Sequence, residues 1–210
     1  MNGQHKRAQT VAYEVGESLY INVTNKCSNR CDFCIRNNGD GAYGSEPLWR
    51  EREPGAEEIL AAIAEKGAER YPEIVFCGYG EPTYRIEDAR TVALKIKERF
   101  PSMHIRMNTN GHSDLIHKKE TAMLFEGAFD TVGISLNTPN AEEYVKICRP
   151  VFGEIAFDGL LKFAEKLKKY VPRVLLSVVR QTLTEEELNE CRHIAERIGV
   201  ELKIREYIAD

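Results

Sequence analysis

Nowhere in the 210 residues is there an apolar run approaching the roughly 18 residues that a membrane-spanning helix requires. Met1 to Gln9 is polar and lacks the apolar segment of a signal peptide, so the sequence predicts a cytoplasmic chain. Positive charge is also in short supply. With 29 basic against 33 acidic residues and a net charge of −4, a broad nucleic-acid-binding surface is not expected, although a local basic groove stays open. There is no low-complexity tract, and no internal repeat beyond an alternation of strand and helix signals. A composition of 42% apolar and 30% charged residues fits a folded globular chain with one sizeable core, and the sequence is read as one domain over 1–210. Six cysteines without secretory features read as free thiols or metal ligands before disulfides.

Strand and helix patterns alternate about six times. Leu19 to Thr24, Ile74 to Cys77, His104 to Asn108, Thr131 to Leu136, Val174 to Val179 and Leu202 to Tyr207 read as strands. Helical periodicity appears after Pro54 (Ile59, Leu60, Ile63) and along Ala89, Ala93, Ile96 and Phe100. It recurs over Leu115 to Phe125 and from Phe157 to Leu167. Thr184 with Glu187 forms a capping box ahead of Leu188, Cys191, Ala195 and Ile198. This order predicts an α/β fold: parallel strands inside, helices outside, curled into an open, partial barrel of the TIM type. In such folds reactive groups gather at the C-terminal strand ends. The polar and glycine-rich positions obey that rule: the cysteine loop follows the first strand, Gly78 to Pro82 the second, Asn108 to Gly111 the third, Ser135 to Asn137 the fourth, and Arg180-Gln181 the fifth.

Within the segment 17–54 lies the most informative motif. Cys27, Cys31 and Cys34 are spaced Cys-x₃-Cys-x₂-Cys directly after the first strand. Three thiolates so close can wrap one metal centre, but they are one ligand short of a closed zinc or [4Fe–4S] site, and no histidine or fourth cysteine sits nearby at ligand spacing. An incompletely ligated centre can bind a cofactor or substrate at its open position. Downstream, 35–54 is long for a strand-to-helix connection; it holds Gly39, Gly41, Gly44 and the only tryptophan, Trp49, and reads either as a lid or as local packing.

Cys27-Ser28-Asn29-Arg30-Cys31-Asp32-Phe33-Cys34, together with Gly80-Glu81-Pro82 after the second strand, resembles the radical S-adenosylmethionine (radical SAM) superfamily. Asn22 to Cys27, Leu48 to Pro54 and Cys148 to Gly153 are most similar to the small radical SAM proteins associated with TatD-type nucleases. Two departures stand out. Tyr79 replaces the first glycine of the family's Gly-Gly-Glu-Pro motif. Ser135-Leu136-Asn137 lacks the lysine found at that place in activators of glycyl-radical enzymes.

The resemblance implies a [4Fe–4S] cluster on Cys27, Cys31 and Cys34, with S-adenosylmethionine on the fourth iron, reductive cleavage to a 5′-deoxyadenosyl radical, and hydrogen abstraction from an unidentified substrate. A flavodoxin or ferredoxin would supply the electron, and a functional link to a TatD-type nuclease follows from the finer likeness. Phe33 would flank the adenine, Glu81 and the Gly80 backbone would meet the methionyl ammonium, Ser135 and Asn137 the ribose hydroxyls and nearby polar groups, and Pro82 belongs to the same cofactor-binding set. Asn108 and Asn110 complete the candidate set, with Arg180 as a carboxylate partner. Each has a plainer alternative: a turn for Gly80 to Pro82, a left-handed turn at Asn108 to Gly111, a solvated surface position for Arg180. Cys77 and Cys191 read as small core residues, whereas Cys148 has a possible place facing substrate. Chemistry like that of 7-carboxy-7-deazaguanine synthase, glycyl-radical activation, and a non-catalytic zinc or redox-sensing module are the competing functions.

Overall fold

A computed structural model describes residues 5–206. Its sheet has seven strands in sequence order: Ala12–Val15 (β1), Ser18–Ile21 (β2), Glu73–Phe76 (β3), His104–Thr109 (β4), Thr131–Ser135 (β5), Arg173–Val179 (β6) and Glu201–Arg205 (β7). From β2 to β7 all neighbours are parallel, and β1 and β7 are the two edges of an open, partial barrel. The predicted parallel core is therefore present, with one strand added.

That extra strand is a hairpin. β1 pairs antiparallel with β2 across the two-residue loop Gly16-Glu17, where Gly16 adopts φ 57°. A positive φ at the first central residue followed by an ordinary one is the pattern of a type II′ turn, which needs glycine there.

Helices Ala56–Lys66 (α1), Ile86–Arg99 (α2), Ser113–His117 (α3), Ala141–Cys148 (α4), Ile155–Leu167 (α5) and Glu185–Ile198 (α6) cover the outer face. Two differ from the sequence reading. The helix expected over Leu115 to Phe125 stops at His117, where Lys118 turns left-handed (φ 52°), and only a 3₁₀ turn over Ala122–Phe125 follows. α4 was not anticipated; Asn140 caps it by accepting the Glu143 N–H at 2.9 Å. The capping box of α6 is present, with Thr184 N donating to Glu187 Oε2 at 2.7 Å and Glu187 N to Thr184 Oγ1 at 3.2 Å. The final strand ends at Arg205; Tyr207, expected within it, lies outside the described residues.

Strand alternation sorts the two faces. Ile74, Phe76, Ile105, Met107, Val132, Ile134, Leu176 and Val178 are fully buried against the helices, each such side chain stabilising by roughly 1.5–3 kcal/mol. The alternate positions point into the barrel and are largely polar: Arg106, Asn108, Ser135, Ser177, Lys203 and Arg205 all line one cavity. That polar interior is the frame of the site. Among the described residues no helix is long and apolar enough to cross a membrane.

Candidate functional site

The cysteine loop leaves β2 and lies across the C-terminal mouth of the barrel. It is held there by main-chain bonds to the end of α4: Arg30 N to Cys148 O at 2.9 Å, Asp32 N to Ile147 O at 3.0 Å, and Val151 N to Ser28 O at 2.8 Å. The helix missing from the sequence reading is thus the support of the predicted metal-binding loop. Beneath the loop runs a buried polar chain. Asn110 Nδ2 donates to Ser28 Oγ at 2.8 Å, Ser28 Oγ meets His112 Nδ1 at 3.0 Å, and His112 Nε2 meets the Tyr144 hydroxyl at 3.3 Å. Asn29 Nδ2 donates to the same hydroxyl at 2.9 Å. Burial holds His112 down at about 4, so its ring is neutral near neutrality.

Cys27, Cys31 and Cys34 are free thiols, partly buried, and all three line a cavity of about 460 Å³. N–H donors face their sulfurs: Asn29 N to Cys27 Sγ at 3.4 Å, Asn110 Nδ2 to Cys27 Sγ at 3.9 Å, and Arg36 Nε to Cys34 Sγ at 3.4 Å. Arg36 also donates to the carbonyls of Asn25 (3.3 Å) and Asn29 (3.4 Å), locking the loop around its charge. Burial, with Glu81 adding repulsion, pushes the Cys27 thiol up to about 12; hydrogen bonding to Cys148 and then burial raise Cys31. Bare, Cys27 and Cys31 stay protonated, and a cationic centre that expels their protons removes the penalty. Among the described residues no three His, Cys, Asp or Glu side chains converge to hold a single ion. Soft sulfur donors suit iron–sulfur ligation, and the N–H groups facing Cys27 and Cys34 suit a negatively charged sulfur centre.

Gly80 explains how β3 approaches this loop. A Cβ on it would lie 2.2 Å from Thr24 O and 2.7 Å from Lys26 O, so only glycine lets the two segments touch. Glu81 N donates to Lys26 O at 2.7 Å and fixes the contact. The Glu81 carboxylate is held by four donors within the chain. Its Oε1 accepts from Thr83 N (3.1 Å), Thr83 Oγ1 (2.7 Å) and Thr109 Oγ1 (2.7 Å), and its Oε2 from Asn110 N (2.7 Å). Burial raises its pKa and these donors oppose the rise. It braces β3 against β4, and Gly80, Glu81 and Pro82 all line the cavity.

Phe33, Pro82, Asn108, Asn110, Ser135 and Asn137 line the same cavity. Asn108 Oδ1 accepts from Arg106 Nη1 at 3.2 Å. Gly111 does take the left-handed form (φ 80°), as the turn reading has it, but Asn110 is also built into the wall. Asn137 is left-handed too (φ 63°) and 2% exposed; its Nδ2 donates to Cys148 Sγ at 3.5 Å, while its Oδ1 has no partner. A buried, unpartnered acceptor on a cavity wall is costly unless a donor arrives.

Arg180 is not brought to this cavity: its guanidinium donates to Leu183 O at 3.1 Å and pairs with Glu185 on the surface. Cys148 is fully buried against the cysteine loop rather than facing the cavity, Cys191 is buried in α6, and Cys77, expected in the core, lines the cavity wall. The long loop after Ile35 is packed down. Leu48 and Ala42 join Tyr13 and Tyr79 in a small core, Trp49 meets Tyr79 edge-on at 5.1 Å, and the Tyr79 hydroxyl reaches Gly39 O (2.9 Å) and Gly41 O (2.7 Å). Tyr79 thus anchors the loop instead of merely replacing a glycine. Buried Arg50 holds the loop's far end through Arg52 O (3.1 Å), Thr10 O (3.0 Å) and Gln9 Oε1 (3.0 Å). Tyr13, Tyr20, Arg106, Ser177, Lys203 and Arg205 are cavity residues that motif reading passed over; the two-residue alternation of the strands was the available signal.

Residues 21–195 match the family model described as the Radical SAM superfamily. The chain is 35% identical over 143 residues to the GTP 3′,8-cyclase of Corynebacterium glutamicum strain R, covering 64% of this chain and 34% of that protein. It is 28% identical over 139 residues to the GTP 3′,8-cyclase of Rhodococcus opacus, covering 64% of this chain and 36% of that protein. The chain therefore spans about a third of the length of these curated relatives. Among solved structures it resembles SuiB of Streptococcus suis bound to S-adenosylmethionine, with a TM-score of 0.61 and 16% identity over 91% of this chain and 41% of that one. HydG, a maturase of the [FeFe]-hydrogenase, gives 0.58 and 14% over 91% of this chain and 42% of that one. At those identities the likeness is one of fold. The chain belongs to the radical SAM superfamily, whose members use a [4Fe–4S] cluster and S-adenosylmethionine.

Proposed function

We propose that this chain is a radical SAM enzyme in which Cys27, Cys31 and Cys34 hold the cluster and the wall from Gly80 to Asn137 holds the cofactor. The observation that carries the reading is that the three free thiols and the predicted wall residues, all but Arg180, line one cavity at the C-terminal mouth of the barrel. When bound, the cluster and S-adenosylmethionine supply an electron and a 5′-deoxyadenosyl radical for abstracting a hydrogen from a substrate. The chain's own residues do the placing. Phe33 offers a ring to the adenine, the main chain of Gly80 to Pro82 presents polar groups to the methionyl end, and the free Oδ1 of Asn137 accepts a donor such as a ribose hydroxyl. Ser135, Asn108 and Asn110 extend that polar wall, and Glu81 keeps it rigid from behind. Arg180, committed to Glu185, has no part in it.

The test is anaerobic reconstitution with iron and sulfide, then reduction with S-adenosylmethionine present and chromatography for 5′-deoxyadenosine. Stoichiometric product supports the enzyme; a colourless protein holding one zinc supports the metal-binding module instead. The finer assignment to the TatD-nuclease-associated group rests on Asn22 to Cys27, Leu48 to Pro54 and Cys148 to Gly153, two of which the structure gives distinct supporting tasks around the cysteine loop. Leu48 to Pro54 meets the loop through Asn25, whose side chain donates to Arg50 O at 2.8 Å and accepts from Arg50 N at 3.1 Å. A cytoplasmic setting, a flavodoxin or ferredoxin as reductant and a functional link to a TatD-type nuclease accompany this reading, as does treatment of 1–210 as one catalytic domain.

A further inference from the structure

The cavity has two unlike ends. The cysteine loop and the 80–82 turn stand over β2 and β3, whereas the opposite wall is β7, the last strand of the sheet. On that wall Lys203 and Arg205 are two residues apart, so both side chains emerge on the barrel-facing side, at a spacing of roughly 6.6 Å. Their register neighbours on β6 are Ser177 and Val179, which line the same cavity.

The cavity's charged groups are unequally paired, with the carboxylates of Glu81 and Glu206 on the same lining. Of the three cations lining the cavity, Arg106 is matched: its Nη2 and Nε donate to Glu73 Oε1 (2.7 Å) and Oε2 (3.1 Å). Among the described residues Lys203 and Arg205 are in no ion pair, while the nearby acids are otherwise engaged: Glu201 with Arg173, Glu206 with Gln181, and Glu81 with its four donors. Arg205 is half-buried and its Nε is buried without a partner. Its charge also reaches the Cys77 thiol, which burial raises and which Asn108, Arg205 and Arg106 lower, placing the guanidinium near the barrel interior. Lys203 and Arg205, in no ion pair among the described residues, and the unpartnered Nε–H of Arg205 give this wall donors for an anion, beside the Glu206 carboxylate.

We propose that Lys203 and Arg205 anchor the substrate through an anionic group, a carboxylate or a phosphate, on the β7 wall, so that the rest of the substrate extends towards the cysteine loop. This deepens the radical SAM reading and rests on it, because it takes the space between the two walls as the substrate's. A group carrying two negative charges suits the spacing of the two cations, and Ser177 Oγ is placed beside it as a neutral hydrogen-bonding group.

Equilibrium binding to the 210-residue chain tests this, with malonate as the carboxylate probe and pyrophosphate as the phosphate probe. At least one probe saturates the wild-type protein, and its Kd rises by about tenfold in Lys203→Gln and further in K203Q/R205Q; the probe that binds identifies the group. Lys203 is exposed, so the single variant folds and keeps the test decisive if the double variant does not. S-adenosylmethionine binding to the cluster-loaded variants is the second arm. Neither probe saturating, or an unchanged Kd in the variants, overturns the proposal. An equal loss of S-adenosylmethionine affinity also overturns it, assigning the cations to the cofactor's own carboxylate. Formation of 5′-deoxyadenosine without substrate reports on the cluster alone, so failure there sinks the radical reading separately.

Discussion

Glu81 Oε2 accepts the main-chain N–H of Asn110 at 2.7 Å, joining the end of β3 to the end of β4 immediately beneath the cysteine loop. The same carboxylate takes both hydroxyls of Thr83 and Thr109. A residue expected to touch the cofactor is also a brace that sets where its neighbours stand.

Glu81→Ala strands these buried donors. Each unsatisfied donor costs about 1–3 kcal/mol, so destabilisation of at least about 3 kcal/mol is expected. Urea unfolding of the isolated protein reads it. A loss under about 1 kcal/mol with cofactor affinity sharply reduced would leave it the direct role alone.

Gly80→Ala places a methyl 2.2 Å from Thr24 O, which only a shift of the loop main chain can relieve. The expected outcome is a folded protein, less stable by about 1–3 kcal/mol, with reduced iron and sulfide content after reconstitution. Iron content equal to wild type would show that the close packing of 80 on 24–26 is dispensable.

Asn137 combines a left-handed backbone (φ 63°) with an unpartnered Oδ1, and two substitutions separate these. Asn137→Gly keeps the backbone and removes the acceptor, so S-adenosylmethionine binding weakens while stability holds. Asn137→Ala adds a backbone strain of about 1–2 kcal/mol, visible in thermal unfolding. Equal cofactor affinity in wild type and Asn137→Gly would remove Asn137 from the binding wall.

His112 gives the chain a pH dependence whose sign is fixed by burial. Its folded pKa of about 4 lies below the ordinary 6.5, so the unfolded chain takes up the proton first. The contribution is complete above pH 6.5 and lost as pH falls towards 4, amounting to about 3 kcal/mol. Urea unfolding at pH 7 and pH 5 should show a smaller difference in His112→Gln than in wild type. An identical difference would mean that other groups carry the acid sensitivity.

Much of this site was legible from residue order. The alternation of strand and helix, the cysteine spacing and the rule that polar turns collect at C-terminal strand ends placed Cys27, Gly80, Asn110 and Ser135 on one rim, where they stand. What escaped was fixed by long-range contact. α4 is only eight residues long, and its purpose is visible only where Cys148 O and Ile147 O meet the cysteine loop. Glu81 reads as an exposed acid in a turn until Thr83, Thr109 and Asn110 close over it. Arg180 has the right place in the chain, yet Glu185, five residues on, captures it. Lys203 and Arg205 look like solvated charges on a terminal strand until the sheet curls and sets them on the cavity wall.

The most direct measurement is 5′-deoxyadenosine formed by the reconstituted, reduced chain in the presence of S-adenosylmethionine, for wild type and Cys31→Ala side by side. The account predicts about one equivalent or more from wild type, with the brown absorbance of a cluster, and neither product nor colour from Cys31→Ala. Product persisting in Cys31→Ala, or a colourless wild-type protein that forms none, contradicts it.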